Sequence, residues 1–161
     1  MNKTKMKKYI SKLSPKELVD MIFIDPVSDI QNRRAFDFAS YTFVAIIDMD
    51  SLKWVNDNLG HLVGDKLLRV LGGSLDSLFG GNAYHLSGDE FAVVGNNLKT
   101  IFSGLSKLRR NHNSFSFGVG RDLRSADHDM QFDKKKRELS GERAHRGDAP
   151  MDMRVKSAKN G

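Results

Sequence analysis

The sequence predicts an α+β domain with an antiparallel central sheet and the element order βαββαβ. One observation is the apolar, β-branched run at 41–49, which is typical of a buried central strand. Another is the pair of short apolar stretches on either side of the polar turn at 87–89, which indicates a hairpin. Amphipathic helical patterns separate these strands from one another. Together they predict a ferredoxin-like sheet with helices on one face.

The segment before the first strand carries clear helix signals. Ser14 is a predicted N-cap, Pro15 occupies the first helical position, and Glu17 follows three residues after the cap. This pattern predicts a helix that ends near Ile22, and a second short helix is predicted over 32–39.

The remaining elements follow from hydrophobic periodicity. A helical turn or two is predicted at 51–58, and the longer helix at 63–79 has an apolar stripe of four leucines: Leu67, Leu71, Leu75 and Leu78. The other predicted elements are hairpin strands at 82–86 and 90–94, a helix marked by apolar residues from 98 to 108, a strand at 114–120 and a polar helix at 125–139.

Length and composition fit one compact domain. The chain has 161 residues, of which 39% are hydrophobic and 29% charged. We interpret residues 1–22 as a basic segment with a short helix, 23–140 as the folded domain, and 141–161 as a polar tail that is expected to be mobile. The first 22 residues are too few for a sensor domain.

Charge and cysteine content limit the classes of function. The chain has no cysteine, no apolar run long enough for a membrane span and no secretory signal, so a cytoplasmic location is expected. The net charge of +6 favours anionic partners such as nucleotides or nucleic acid. The lysines crowd near both ends, however, and this placement favours a solvated tail and a solvated helix face over a nucleic-acid patch.

Two acidic groups stand at strand ends. Asp48 and Asp50 close the predicted first strand, and Asp89-Glu90 lies in the hairpin turn. In a βαββ arrangement the first strand lies beside the hairpin, so both groups can reach the same edge of the sheet. Converging carboxylates favour Mg²⁺, which prefers oxygen ligands and accompanies phosphates. Carboxylates that simply face water at strand ends remain the alternative at this point.

A series of motifs resembles the GGDEF family of diguanylate cyclases, whose fold is a nucleotidyl-cyclase domain similar to a polymerase palm. The series covers about residues 20–140 in the family's order and spacing. Its members are FIDPVSDIQNRRAF at 23–36, IIDMDSLKWVNDNLGHLVGDKLL at 46–68, YHLSGDEFAVV at 84–94, the strand SFSFGVG at 114–120, and a weakened last-helix motif at 126–138.

The resemblance implies a metal site for Mg²⁺ or Mn²⁺. Its ligands would be Asp48, Asp89 and Glu90, with the Met49 carbonyl as a further ligand. Asp89 and Glu90 are accordingly also expected among the catalytic residues.

The resemblance further implies a GTP site. Asn56 and Asp65 correspond to the residues that recognise the guanine edge, and a carboxylate suits the guanine N1–H and 2-amino donors. Lys53 and Lys134 correspond to lysines that contact phosphates and assist catalysis. In the turn, Ser87 and Gly88 would let a phosphate approach the backbone.

Several positions depart from the family pattern. Ser87 replaces the first signature glycine, His85 replaces an arginine, and the usual R-x-x-D product-inhibition motif would fall at Leu78 and Gly81 and is absent. The last helix differs at three positions, Gln131, Asp133 and Glu138, and Arg137 is the nearest replacement for the phosphate-binding arginine expected at 138.

Three functions are compatible with these residues. The first is a diguanylate cyclase that joins two GTP molecules into cyclic di-GMP across a homodimer. The second is a degenerate domain that binds GTP or a protein partner without turnover, which the altered last helix and His85 favour. The third is nucleic-acid binding through the basic ends, which has the least support because basic and aromatic residues do not alternate.

Overall fold

The computed structural model describes residues 2–112 and 115–143, which form a five-stranded sheet between helices. The strands are β1 (Gln31–Asn32), β2 (Phe43–Met49), β3 (Ala83–Ser87), β4 (Glu90–Gly95) and β5 (Phe115–Gly120). The α-helices are α1 (Lys3–Ile10), α2 (Pro15–Phe23), α3 (Arg33–Phe36), α4 (Leu52–Leu59), α5 (His61–Phe79), α6 (Leu98–His112) and α7 (Leu123–Leu139). The order from β2 to β5 confirms the predicted α+β class.

The sheet has the strand order β1-β3-β4-β2-β5. β2 pairs antiparallel with both β4 and β5, and β3 pairs antiparallel with β4. The first long strand therefore lies directly beside the hairpin, as predicted. β1 adds a short parallel pairing to β3 that the sequence pattern did not reveal.

Helices cover both faces of the sheet, so the expectation of one covered face is only half correct. The crossover helices α5 and α6 share a core with Ile47, Phe91 and Phe115 on one face. On the other face, α3 and α7 pack over Val44, Tyr84 and neighbouring residues. The sequence did not predict this second core, because α7 is largely polar and contributes mainly Ala126 and Met130 to it.

The predicted leucine stripe of α5 is partly wrong. Leu71 and Leu75 are buried, but Leu67 and Leu78 are exposed, and Leu68 takes the core position instead. At the start of the helix, the buried face therefore includes Leu68 in place of the predicted Leu67. On α6 the buried residues are Ile101, Leu105 and Leu108, while Leu98 and Phe102, which belong to the same apolar pattern, are exposed.

The sequence signals near the N-terminus predicted the helix starts more accurately. Ser14 and Glu17 form the predicted reciprocal capping box at the start of α2, which ends at Phe23. The helix predicted over 32–39 is shorter and is capped by Asn32. No described helix combines the length and apolar character that a membrane span requires. The predicted mobile tail falls outside the described residues beyond 143, whereas 141–143 form an ordered turn.

Helix α7 lies unusually close to the edge strand β5. A Cβ atom at Gly118 would lie 2.0 Å from the backbone nitrogen of Met130, so only glycine permits this contact. Two α7 carboxylates also accept hydrogen bonds from β5 backbone groups: Asp133 from Phe117 and Asp129 from Val119. Asp133, one of the positions that differ from the family pattern, therefore holds α7 and its Lys134 against the sheet.

Candidate active site

The two acidic groups converge at one edge of the sheet, as predicted. Asp48 lies directly opposite Glu90 in the β2–β4 pairing. The backbone N–H of Met49 donates to the carbonyl oxygen of Asp89 at 2.9 Å, which ties the end of β2 to the hairpin turn. The ladder itself therefore holds Asp48, Asp89 and Glu90 together.

Asp48 is buried and faces two cations. Its side chain is 8% exposed, and Lys134 Nζ lies 2.7 Å from its Oδ2. Arg143 Nη2 lies 3.6 Å from its Oδ1. Burial raises the pKa of the Asp48 carboxyl above its ordinary value; Lys134 and Arg143 oppose the rise and Asp89 adds to it. Lys134 thus lies beside Asp48 at this edge of the sheet.

Asp50 belongs to an adjoining network that shares Arg143 with Asp48. Its Oδ2 accepts from Arg137 at 2.8 Å and its Oδ1 accepts from Arg143. Arg137 is buried and also donates to the Phe115 carbonyl and to Ser116 Oγ. Arg137 is therefore part of the packing between α7 and the sheet, which argues against its interpretation as a replacement phosphate ligand.

The donor set at the sheet edge fits a hard divalent cation. Asp48, Asp89, Glu90 and the Met49 carbonyl supply oxygen ligands only, as Mg²⁺ prefers. Among the described residues, however, no three acidic or imidazole side chains are already grouped to hold a metal ion. A metal at Asp48 would balance the charge that Lys134 and Arg143 balance in the structure.

His85 connects the hairpin turn to the loop after α2. Its Nδ1 lies 3.0 Å from Asp25 Oδ1 and 3.1 Å from Ser28 Oγ, and its Nε2 lies 3.0 Å from the Gly88 carbonyl oxygen. The ring stacks on Phe91 at 4.4 Å. A buried imidazole therefore fixes the backbone of the SGDE turn.

Both ring nitrogens of His85 have hydrogen-bond partners. A carbonyl oxygen only accepts, so Nε2 must donate to Gly88. The Ser28 hydroxyl donates to Asp25 Oδ1, and Nδ1 of His85 lies within hydrogen-bond distance of both side chains. Burial acts to raise the pKa of Asp25, but hydrogen bonds from the Ser28 backbone and from His85 outweigh it, so that pKa lies below its ordinary value.

The predicted guanine residues lie at the junction of α4 and α5. Asn56 Oδ1 is buried and has no hydrogen-bond partner among the described residues. A Cβ atom at Gly64 would lie 2.0 Å from this oxygen, so the glycine provides the space that the amide occupies. Asp65 follows Gly64 in α5 and is half-buried. An unpaired buried amide oxygen is a feature expected of a polar ligand site.

Lys53 does not join the carboxylate cluster in the structure. Its side chain is 67% exposed, and its Nζ pairs with Asp57 Oδ2 at 2.8 Å, one turn along α4. Ser87 is exposed in the turn, and its hydroxyl lies 3.5 Å from Glu90 Oε2. Gly88 adopts a φ of 51°, a left-handed conformation that glycine tolerates best.

A family profile described as "Diguanylate cyclase, GGDEF domain" matches residues 22–124. The chain belongs to the GGDEF domain family. The match covers the sheet edge with Asp48, the α4–α5 junction and the hairpin turn.

Curated relatives support the same assignment. The chain is 39% identical over 85 residues to diguanylate cyclase VdcA of Vibrio cholerae, which covers 47% of this chain and 25% of VdcA. It is 36% identical over 84 residues to diguanylate cyclase DgcN of Escherichia coli, with 44% of this chain and 20% of DgcN covered. This GGDEF chain thus spans a quarter or less of the length of these two relatives.

Solved GGDEF structures share the fold. The coiled coil and GGDEF domain of DgcB from Caulobacter crescentus, in complex with c-di-GMP, matches with a TM-score of 0.60 at 16% identity, over 91% of this chain and 92% of that chain. The FimX GGDEF domain from Pseudomonas aeruginosa matches with a TM-score of 0.57 at 16% identity, over 73% and 94%. At these identities the matches establish the fold.

Sequence reasoning missed two features of the site. Asp25 and His85 lie 60 positions apart in the sequence, so no local sequence pattern indicates that they pair. Arg143 lies in the segment interpreted as a mobile tail, yet its side chain is only 10% exposed. Gly141, two residues after the end of α7, was the available signal for an ordered turn at that point.

Proposed function

We propose that this domain is a diguanylate cyclase that condenses two GTP molecules into cyclic di-GMP. The observation that carries the proposal is the convergence of Asp48, Asp89 and Glu90 at one sheet edge, with Lys134 beside them. Carboxylates for a divalent cation next to a lysine for phosphates form a site suited to nucleotidyl transfer.

The proposed reaction forms two phosphodiester bonds and breaks two phosphoanhydride bonds. The 3′-hydroxyl oxygen of each GTP attacks the α-phosphorus of the other, the hydroxyl proton is lost, and pyrophosphate leaves. Bound Mg²⁺ or Mn²⁺ would favour ionisation of the hydroxyl and neutralise charge on the phosphates. One subunit holds one GTP, so ring closure requires two subunits face to face.

The chain's own residues bind and orient the nucleotide in this proposal. Asp65 accepts from the guanine N1–H and 2-amino groups, and the Asn56 amide contacts the purine acceptors. Lys134 and Lys53 contact phosphates, Lys53 after it leaves its exposed pair with Asp57. At the turn, Gly88 and Ser87 let phosphate oxygens approach the backbone, whose position His85 fixes.

A binding domain without turnover is the second candidate. The observation in its favour is that both oxygens of Asp48 face cations of the chain, Lys134 and Arg143. If these cations do not yield to a metal, the site would keep GTP affinity through Asn56 and Asp65 and lose catalysis.

The experiment is to incubate concentrated protein with GTP and Mg²⁺, then to identify the products by mass spectrometry and to measure GTP binding by calorimetry. Cyclic di-GMP and pyrophosphate are the expected products. Binding of GTP without product would support the second candidate. Absence of both binding and product would contradict both candidates.

A further inference from the structure

Arg143 lies at the proposed nucleotide site because of the way α7 ends. Gly141 has a φ of 73°, and its N–H donates to the Glu138 carbonyl at 3.2 Å. The N–H groups of Glu142 and Arg143 both donate to the Arg137 carbonyl, at 2.9 and 3.1 Å. This is the Schellman arrangement, in which a left-handed glycine reverses the chain after a helix. The reversal brings residue 143 back against the sheet edge.

Two carboxylates hold the Arg143 guanidinium in a fixed orientation. Its Nε donates to Asp50 Oδ1 and its Nη1 donates to Glu138 Oε1. Burial acts to lower the pKa of Arg143, but Asp50, Asp48 and Glu138 together raise it, so the side chain stays charged. The guanidinium is thus a cation whose orientation is set by its neighbours.

The third nitrogen of the guanidinium points at the carboxylate site. Nη2 lies 3.6 Å from Asp48 Oδ1, which is too long for a hydrogen bond, and Lys134 Nζ contacts the other oxygen of Asp48 at 2.7 Å. Asp48 therefore lies between two cations. If a divalent metal ion neutralises Asp48, the positive charges of Lys134 and Arg143 can pair with an anion bound at the same place.

We propose that Arg143 is a phosphate-binding residue of the nucleotide site, oriented by Asp50 and Glu138 and acting with Lys134. The inference rests on the proposed function, since it requires a nucleotide at the Asp48 edge. A planar guanidinium fixed on two sides offers its remaining N–H groups to a phosphate oxygen with little loss of side-chain entropy. The ligand class is a guanine nucleotide with a phosphate chain.

The test compares guanosine, GMP and GTP binding, with Mg²⁺, to the wild type and to Arg143→Gln. GTP affinity of the variant is expected to fall about tenfold or more, with guanosine affinity unchanged, because a charge-assisted hydrogen bond is lost. Arg143→Lys should recover part of the loss. The matched control is Arg110→Gln, which removes the same charge from an exposed position on α6.

The outcomes separate this inference from the proposed function. A wild type that binds neither guanosine nor GTP would contradict the proposed function and, with it, this inference. Wild-type GTP affinity in Arg143→Gln would contradict the inference alone. An equal loss of guanosine and GTP affinity would show that Arg143 only supports the fold, which also overturns it.

A second variant tests the turn without touching the cation. Gly141→Val places a β-branched residue where the backbone is left-handed, which displaces the chain reversal. Its GTP affinity is expected to fall relative to its guanosine affinity. Unchanged GTP affinity would contradict the claim that the helix end positions Arg143.

Discussion

Nδ1 of His85 lies 3.0 Å from Oδ1 of Asp25, inside the protein and 60 positions apart in the sequence. The same imidazole reaches the Gly88 carbonyl on its other side. The loop after α2 is therefore connected through one ring to the turn that carries Asp89 and Glu90. Changes to this pair should affect both the stability of the fold and the geometry of the turn.

Asp25→Asn tests this pair. The substitution keeps the size of the side chain but leaves His85 with a weaker partner, so we expect the free energy of unfolding at neutral pH to fall by about 1–3 kcal/mol. Because folding lowers the pKa of Asp25, its contribution is present above the ordinary value of 3.8 and is lost as the pH falls through the folded value.

Denaturant unfolding at several pH values measures the Asp25 effect. The difference between wild type and variant should be constant near neutral pH and should shrink below about pH 4. Asp20→Asn, an exposed change on α2, is the control and should be close to neutral. A variant as stable as wild type at pH 7 would contradict the role of the pair.

The sequence predicted the parts of the site that depend on local pattern. The run at 41–49 and the hairpin at 82–94 fix β2 beside β4, and that pairing alone places Asp48 opposite Glu90. The burial of α7 was harder to predict, because its contact with β5 depends on the absence of side chains at Gly118 and Gly120. Long-range polar contacts such as Asp25–His85 leave no periodic signal, so they could not be predicted.

Gly64→Ala should weaken nucleotide binding more than it weakens the fold. The new Cβ would lie 2.0 Å from Asn56 Oδ1. The amide is the end of a side chain and can move, so we expect an unfolding penalty of about 1–3 kcal/mol and a larger effect on GTP affinity, because the guanine contact is displaced.

Gly73→Ala is the matched control for Gly64→Ala. It lies on the same helix, and a Cβ atom there meets nothing within 4 Å. It should stabilise the protein by about 0.4–1 kcal/mol with GTP affinity unchanged. Thermal unfolding and GTP titration of both variants measure the contrast. Normal GTP affinity in Gly64→Ala would remove Asn56 from the proposed guanine site.

Asp48→Asn and Glu90→Gln should each reduce cyclic di-GMP formation by more than the roughly 10–100-fold that loss of an outer-shell metal partner causes. Each removes, from the paired strand ends, a carboxylate that the proposed function assigns to the metal. Asp48→Asn should also cost about 1–3 kcal/mol of unfolding free energy, because Lys134 loses its partner. Asp76→Asn, exposed on α5, is the control for charge. Full turnover in Asp48→Asn would be incompatible with the proposed ligand set.

Asp65→Asn should reduce the preference for GTP over ATP by about tenfold or more. In the proposed site the carboxylate would accept from two guanine donors, whereas adenine offers a donor in place of O6 and lacks the 2-amino group. The amide of asparagine would face one guanine donor with a donor of its own. Competition titrations of GTP and ATP measure the change. Equal binding of the two nucleotides by the wild type would remove base recognition from Asp65.

Product inhibition should be weak at the position where the family's R-x-x-D motif would fall. Leu78 is exposed and carries no charge, and Gly81 has no side chain; its carbonyl accepts from Gln31 Nε2 at 2.6 Å. Cyclic di-GMP bound there would need an arginine fork for phosphate and a carboxylate for the base. Neither group is present at these two positions, so added product should leave the initial rate nearly unchanged.

Initial rate against enzyme concentration, measured with and without added cyclic di-GMP, tests this prediction together with the dimer requirement. If two GTP-loaded subunits must meet, specific activity should rise as the protein is concentrated and level off once dimers dominate. The double variant Leu78→Arg with Gly81→Asp restores the motif and should make the enzyme sensitive to product. A rate strictly proportional to enzyme at nanomolar concentrations would instead indicate a tight preformed dimer. Strong inhibition of the wild type at low micromolar product would reveal an inhibitory site elsewhere, because Leu78 and Gly81 supply neither the cation nor the carboxylate that such binding needs.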